Sequence, residues 1–189
     1  YDAVISNYFN NISQIHFPKK KILYGNLIEK LRYGENPHQD GAIYSESQSL
    51  KIKQIHGKHL SYNNYNDIFS ALRITKNLPK NKGVVIIKHT NPCGISILKN
   101  NLESYKSALA CDPISAFGGV VSCNFKITKK IAIELNKIFF EIIVAKGFDE
   151  NALKLLRLKK NLRIIDVSDF LLINNHRSNS FNNNFLIQS

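Results

Sequence analysis

An α/β fold, with a largely parallel sheet and helices on both faces, is predicted by three features of this 189-residue chain. From Tyr62 onward, short apolar strand candidates alternate with amphipathic helix candidates, a pattern that requires right-handed crossovers. Val84–Ile87 is an unbroken β-branched run, the mark of a strand buried on both faces. Hydrophobic residues make up 43% and charged residues 21%, which excludes a disordered, collagen-like or coiled-coil chain.

The elements follow in order. Tyr1–Phe9 reads as the tail of a helix and Asn10–Lys21 as a polar, basic connector; residues up to about Leu31 are irregular. Ala42–Tyr44 and Lys51–His56 are strand candidates with partly alternating apolar positions. Asn66 or Asp67 caps a helix to about Leu78, with Ile68, Leu72 and Thr75 on one side and Pro79 as its stop. After Val84–Ile87, Asn91-Pro92 and Gly94 force a turn. Leu102–Cys111 is an amphipathic helix and Val120–Cys123 a strand. Thr128 caps a helix whose Ile131, Leu135, Ile138 and Phe139 share a face. Glu141–Ala145 is a strand, Asp149 caps a helix to about Leu158, and Leu162–Val167 is the last strand. Leu171–Ser189 is Asn-rich and without clear periodicity.

No apolar run reaches the roughly 18–20 residues that span a bilayer, and no signal pattern opens the chain, so a soluble cytoplasmic protein without membrane contact is expected. Cys93, Cys111 and Cys123 are too scattered for a disulfide framework and read as reduced thiols. There is no Met, so Tyr1 is not expected to be a natural start, and the sequence reads as a piece of something longer. Lys, Asn and Ile number 21, 23 and 25, the residues of A/T-rich codons. That bias accounts for the net charge of +12 as well as a nucleic-acid groove does, since Lys outnumbers Arg 21 to 5 and its short runs lie far apart.

Four segments carry candidate chemistry. The buried strand ends on Lys88 and His89, and ligand sites of open α/β sheets lie beyond the carboxyl ends of strands. Histidine takes up protons near neutrality, and an adjacent ammonium holds an anion or tunes its neighbour. A strand fraying into a polar loop fits the same residues, and the pattern leaves both open. Arg32-Tyr33-Gly34 offers a guanidinium, a hydroxyl and an approachable backbone suited to phosphate, with Asn36-Pro37 aiming His38 and Gln39; a surface turn explains it as simply. Lys58–Asp67 is dense in amides and hydroxyls before a helix start, where anions are favoured. Capping explains Asn66 and Asp67, leaving Asn63 and Asn64 for another task. Cys111–Gly119 ends in Gly118-Gly119, suited to backbone approach or to a helix stop. Cys93 lacks any visible cause of a lowered pKa, and His56 with His59 lacks partners for a metal.

Taken together and in this order, LRYGENPHQ (Leu31–Gln39), LSYNNYND (Leu60–Asp67), KHTNPCG (Lys88–Gly94), DPISAFGG (Asp112–Gly119) and EIIVA (Glu141–Ala145) resemble the AICAR transformylase/IMP cyclohydrolase family of bifunctional purine biosynthesis enzymes, in its transformylase part. Tyr1–Phe9 resembles the end of the cyclohydrolase domain. Phe181–Gln188 resembles a mid-transformylase segment in which two glycines usually stand where this chain has Asn183 and Asn184. The resemblance implies that residues 1–30 are cyclohydrolase tail and linker, and that 31–189 are the N-terminal half of the transformylase domain. It implies a three-layer α/β/α unit of cytidine-deaminase-like fold, the first copy of a duplicated pair, without zinc.

The same resemblance implies the site. His89 is the general base on the 5-amino group of AICAR (5-aminoimidazole-4-carboxamide ribonucleotide), with Lys88 beside it. Arg32 and Tyr33 hold phosphate and ribose, Asn64 contacts the carboxamide, and His38 lines the pocket. Gly34, Ser115, Phe117 and Gly118 complete the substrate-binding set. The co-substrate is 10-formyltetrahydrofolate, the parent protein a homodimer with sites shared across the interface, and neither metal nor nucleic acid takes part. Lys88, His89 and Arg32 are then expected to face one hollow. Two other classes stay open on the residues: a non-catalytic basic module for RNA or other anions, and a zinc deaminase, for which H-x-E and P-C-x-x-C are lacking.

Overall fold

The computed structural model describes residues 1–47, 49–169, 177–181 and 184–188. Two units are distinguished. The first comprises Tyr1–Glu29, Ile43–Leu50 and the described part of Leu171–Ser189; the second comprises Lys30–Ala42 and Lys51–Phe170.

In the first unit, α1 (Asp2–Ile12) buries none of its residues. A two-stranded sheet of β1 (Asn26–Leu31) and β2 (Gly41–Ser45) draws residues from both units, so the stretch before Leu31 is not wholly irregular. The chain's last described residues also depart from expectation. β9 (Arg177–Phe181) and β10 (Asn184–Gln188) pair antiparallel, with Asn184 opposite Phe181 and Gln188 opposite Arg177. Backbone pairing makes this ladder, and its mixed polar composition carries no period-two signal. Asn183 lies outside the described residues.

The second unit is built on a six-stranded sheet of order β3-β8-β7-β6-β4-β5, from β3 (Lys53–His56), β4 (Val84–Lys88), β5 (Asn91–Ser96), β6 (Val120–Cys123), β7 (Ile142–Ala145) and β8 (Arg163–Asp166). Only β6–β7 and β7–β8 are parallel; β3–β8, β6–β4 and β4–β5 are antiparallel. The sheet is mixed, which corrects the expectation of a largely parallel one. The cause is local. The chain reverses just after Lys88 and returns at once as β5, so Asn91–Ser96 is a strand rather than a loop. The next segment crosses over to the far side of β4 and enters as β6, opposed to it.

Alternation along the buried strands separates two helical layers. Val84, Ile86, Val121, Cys123, Ile143, Ala145 and Ile164 form one core with α3 (Asn101–Cys111), α5 (Lys129–Leu135) and α6 (Glu150–Leu156), through Tyr105, Ala108, Ile131, Leu135, Ala152 and Leu156. Tyr105 meets Phe140 edge-on at 6.4 Å between centroids. The opposite face receives α2 (Tyr62–Thr75), whose Thr75 Oγ1 donates to Ser122 Oγ at 2.9 Å and whose Ile68, Ala71 and Leu72 are buried. Each fully buried aliphatic side chain contributes roughly 1.5–3 kcal/mol by leaving water.

Helix starts differ from expectation in one respect that matters for the site. α2 begins a turn earlier than read, with Ser61 as N-cap. Asn64 N donates to Ser61 Oγ at 3.2 Å and Ser61 N donates to Asn64 Oδ1 at 3.1 Å, a reciprocal capping box. Thr128 and Asp149 do precede α5 and α6, but neither side chain caps its helix; Asp149 pairs with Lys126 at 3.1 Å instead. A short α4 (Pro113–Ala116) also interrupts the return into β6. Among the described residues no helix is long and apolar enough to cross a membrane.

Candidate active site

β4 ends at Lys88, β5 begins at Asn91, and those two residues pair, so the chain turns through His89 and Thr90 alone. Two-residue hairpins of the favoured kind need positive φ at both turn positions, which ordinarily selects Asn-Gly or Gly-Gly. Here φ is 50° at His89 and 63° at Thr90. For a β-branched residue this is strained backbone, of order 1–3 kcal/mol. Restraint comes from α2: Thr90 N donates to Asp67 Oδ1 at 2.6 Å, and Ser70 Oγ donates to the Thr90 carbonyl at 2.8 Å. The turn also braces itself, since Thr90 Oγ1 and Asn91 Nδ2 donate to the His89 carbonyl at 2.7 and 2.9 Å. The exposed His89 thus stands at the lip of a strand whose first four residues are fully buried.

Lys88 is tied to a different segment. Its Nζ donates to the Phe117 carbonyl at 2.9 Å. That segment is shaped by Asp112, whose Oδ1 accepts from Ser115 N at 2.9 Å. The Ser115 hydroxyl and N–H hold the Asp112 carboxyl below the usual range, with the Lys88 charge acting the same way. Phe117 is followed by Gly118 at φ 76°, a conformation that costs glycine nothing, and Gly118 N donates to the Phe139 carbonyl at 2.8 Å. The Phe117 and Phe139 rings lie 5.4 Å apart. Burial, and then the Asp112 charge, push the Cys93 thiol up, so Cys93 is poorly suited to be a nucleophile.

The reversal of β4 brings a further group to this edge. Because β4 opposes β6, its carboxyl end lies beside the amino ends of β6, β7 and β8. Glu141 immediately precedes β7 and Arg163 opens β8. Arg163 Nη1 donates to Glu141 Oε1 at 2.9 Å, Asn64 Nδ2 donates to the same oxygen at 3.2 Å, and Arg163 Nε donates to the His59 carbonyl at 3.3 Å. Asp67 belongs to the same electrostatic neighbourhood. Burial raises its carboxyl above the usual range and the Glu141 charge adds to this, while the Thr90 N–H and the His89 charge act against it.

The Arg32 loop closes on its own hydrogen bonds. Gly34 is buried and its N–H donates to the Gln39 carbonyl at 2.7 Å, so that donor serves loop closure and is not open to a ligand. Arg32 lies 5.9 Å from the Tyr33 ring centroid, and Arg32 and His38 are exposed. The loop reaches the rest of the edge through Asn63, whose Nδ2 donates to the Glu35 carbonyl at 3.3 Å. Among the described residues no hydrogen bond or ion pair joins Arg32 or His38 to Lys88 or His89. Asn64, one of the two amides left for a ligand, is 4% exposed and holds both the capping box and Glu141. Asp67, assigned to capping, instead holds the turn. Capping of α2 thus falls to Ser61 and Asn64 rather than to Asn66 or Asp67.

Chemically, this edge places an imidazole (His89), on a turn anchored by Asp67, with an ammonium (Lys88) and an arginine-paired carboxylate (Glu141 with Arg163) around it. Such a set can take a proton from a bound nucleophile and stabilise charge that develops beside it.

A family model described as the AICARFT/IMPCHase bienzyme matches residues 1–189. The chain belongs to this family. Among its relatives, a protein of Listeria monocytogenes serotype 4a (strain HCC23) named "Bifunctional purine biosynthesis protein PurH" is 41% identical over 194 residues, covering 100% of this chain and 38% of its own length. Proteins of the same name from Acetivibrio thermocellus and Oceanobacillus iheyensis are 42% and 40% identical, over 89% and 88% of this chain and 34% of each relative. The chain therefore spans little more than a third of these relatives. Within this AICARFT/IMPCHase chain, Asp67, Glu141 and Arg163 are the edge residues that sequence reasoning missed. The available signal was their position immediately before or inside buried elements, and it becomes readable only once β4 is known to oppose β6.

Proposed function

We propose that the protein to which this chain belongs transfers the formyl group of 10-formyltetrahydrofolate to the 5-amino group of AICAR, giving FAICAR and tetrahydrofolate, and that it also closes FAICAR to IMP, acting in the cytoplasm as a homodimer. The observation that carries the reading is the presentation of His89 and Lys88 at the end of buried β4, on the edge where Asp67, Asn64 and Glu141 gather. Membership of the family and the five ordered motifs support it. An aromatic amine is a poor nucleophile and must lose a proton as it attacks the formyl carbon, while the carbonyl oxygen gains charge that needs donors. His89 takes that proton, and the Lys88 ammonium favours the developing anion. Arg32 and Tyr33 hold the ribotide phosphate and ribose, with Gly34, His38, Asn64, Ser115, Phe117 and Gly118 around the substrate. The fold read for this unit is the first of two cytidine-deaminase-like copies, the second supplying the folate-contacting residues, and no metal enters the chemistry.

In the full-length protein, Arg32→Ala is expected to raise the KM for AICAR about 10- to 100-fold, as loss of a hydrogen bond to a charged group worth roughly 1.5–3 kcal/mol does, with kcat within about threefold. An unchanged KM removes Arg32 from the phosphate site. The pure 189-residue chain is expected to show no turnover in a formyl-transfer assay while binding AICAR weakly by equilibrium dialysis. Measurable turnover by that sample overturns the division of the site between two copies.

A further inference from the structure

We propose that α2 acts as a positioning element for the acid–base turn: Asp67, seconded by Ser70, locks His89–Thr90 in its left-handed conformation and so fixes where His89 points. The inference rests on the reading of His89 as general base. Three observations carry it. Both turn residues hold positive φ without being glycine, so the conformation persists only because its surroundings impose it. The restraints come from two residues three apart on α2, spaced to share a face, and they take the N–H and the carbonyl of the same residue, Thr90. Asp67 is not required by its own helix: it is the sixth residue of α2, and the capping is done by Ser61 and Asn64.

The half-buried Asp67 carboxylate is held there against its own desolvation. A residue with only a packing task would not keep an acid at that position. The charged groups that bear on it are His89 and Glu141. Without the Asp67 acceptor, the turn is free to relax toward right-handed backbone, which splays two-residue hairpins and carries His89 away from its station.

The test uses the full-length protein with histidine side chains isotopically labelled, the His89 resonance being assigned by its loss in His89→Ala. In Asp67→Ala, kcat for formyl transfer is expected to fall about tenfold with the AICAR KM within threefold, and the His89 resonance to broaden or split. Asp67→Asn, which keeps an oxygen to accept from Thr90 N, is expected to restore a single resonance and a kcat within threefold of wild type. In a Thr90→Gly background the Asp67→Ala loss should shrink to less than threefold, because glycine takes up positive φ without strain. The proposal is overturned if Asp67→Ala leaves kcat within twofold and the resonance unchanged, or if Asp67→Asn is as impaired as Asp67→Ala. Should Asp67→Ala not fold, Ser70→Ala is judged by the same resonance and rate. If His89→Ala itself keeps the wild-type rate, the general-base reading falls, while the resonance still decides whether α2 holds the turn.

Discussion

Replacing His89 by alanine in the full-length protein is expected to lower kcat for formyl transfer by roughly 10²- to 10⁴-fold, the range spanned by loss of a positioned general base. AICAR affinity, measured by equilibrium titration, should change by less than about threefold. The reasoning is geometric as well as chemical. His89 is exposed at the tip of a turn whose backbone is fixed by Asp67, Ser70 and Asn91, so truncation removes the imidazole without removing a packing contact. Lys88 keeps its bond to the Phe117 carbonyl, and Glu141 keeps Arg163 and Asn64. A variant that binds AICAR normally and transfers formyl at close to the wild-type rate would remove His89 from the mechanism.

The largest effect on stability is expected from Gly94→Ala. Gly94 lies in β5 opposite Ile86, and a Cβ built there falls 1.9 Å from the Ala108 carbonyl oxygen and 3.2 Å from Cys111 Cβ. Ala108 is buried in α3, so the obstruction is helix backbone and no side chain can swing aside. Either α3 moves off the sheet or β5 moves off β4, and both carry core residues with them. Overpacking of this kind costs about 3 kcal/mol or more. In a domain of this size that lowers Tm by roughly 6–12 °C. Ile97→Ala, at an exposed position just beyond the same strand, should shift stability by less than about 0.5 kcal/mol. Melting of Gly94→Ala within 2 °C of the parent would mean that α3 is not seated on β5 as described.

Much of the fold was legible because the second unit obeys local rules. Val84–Ile87, Val120–Cys123 and Ile142–Ala145 are buried runs, apolar but for Ser122, and they form strands with almost the boundaries their composition suggests. What escaped was direction. Asn91-Pro92 and Gly94 look like punctuation, yet β5 is an edge strand, where a proline's missing donor is tolerated, and Gly94 is demanded by close contact with α3 rather than by a turn. The true reversal uses His89 and Thr90, two residues with no turn signature. Misreading it hid the antiparallel relation of β4 to β6 and, with it, the arrival of Glu141 and Arg163 at the same edge. Asp67 was obscured for a related reason: a carboxylate near a helix start is usually a cap, and only the position of Ser61 shows that this helix had already begun.

The opposed direction of β4 has a consequence for the molecule's chemistry at large. The parallel trio β6, β7 and β8 opens its carboxyl ends on the far rim, where Lys126 pairs with Asp149 and Asp166 is bonded by Ser168. Strands of four residues put that rim about 13 Å from the proton-transfer groups, beyond the roughly 8 Å over which exposed charges are felt at physiological salt. Exposed charges at the two ends of the sheet are therefore largely screened from one another by the solvent. A lysine gained or lost at the far end alters isoelectric point and solubility, and bears only weakly on the edge where His89 and Lys88 stand.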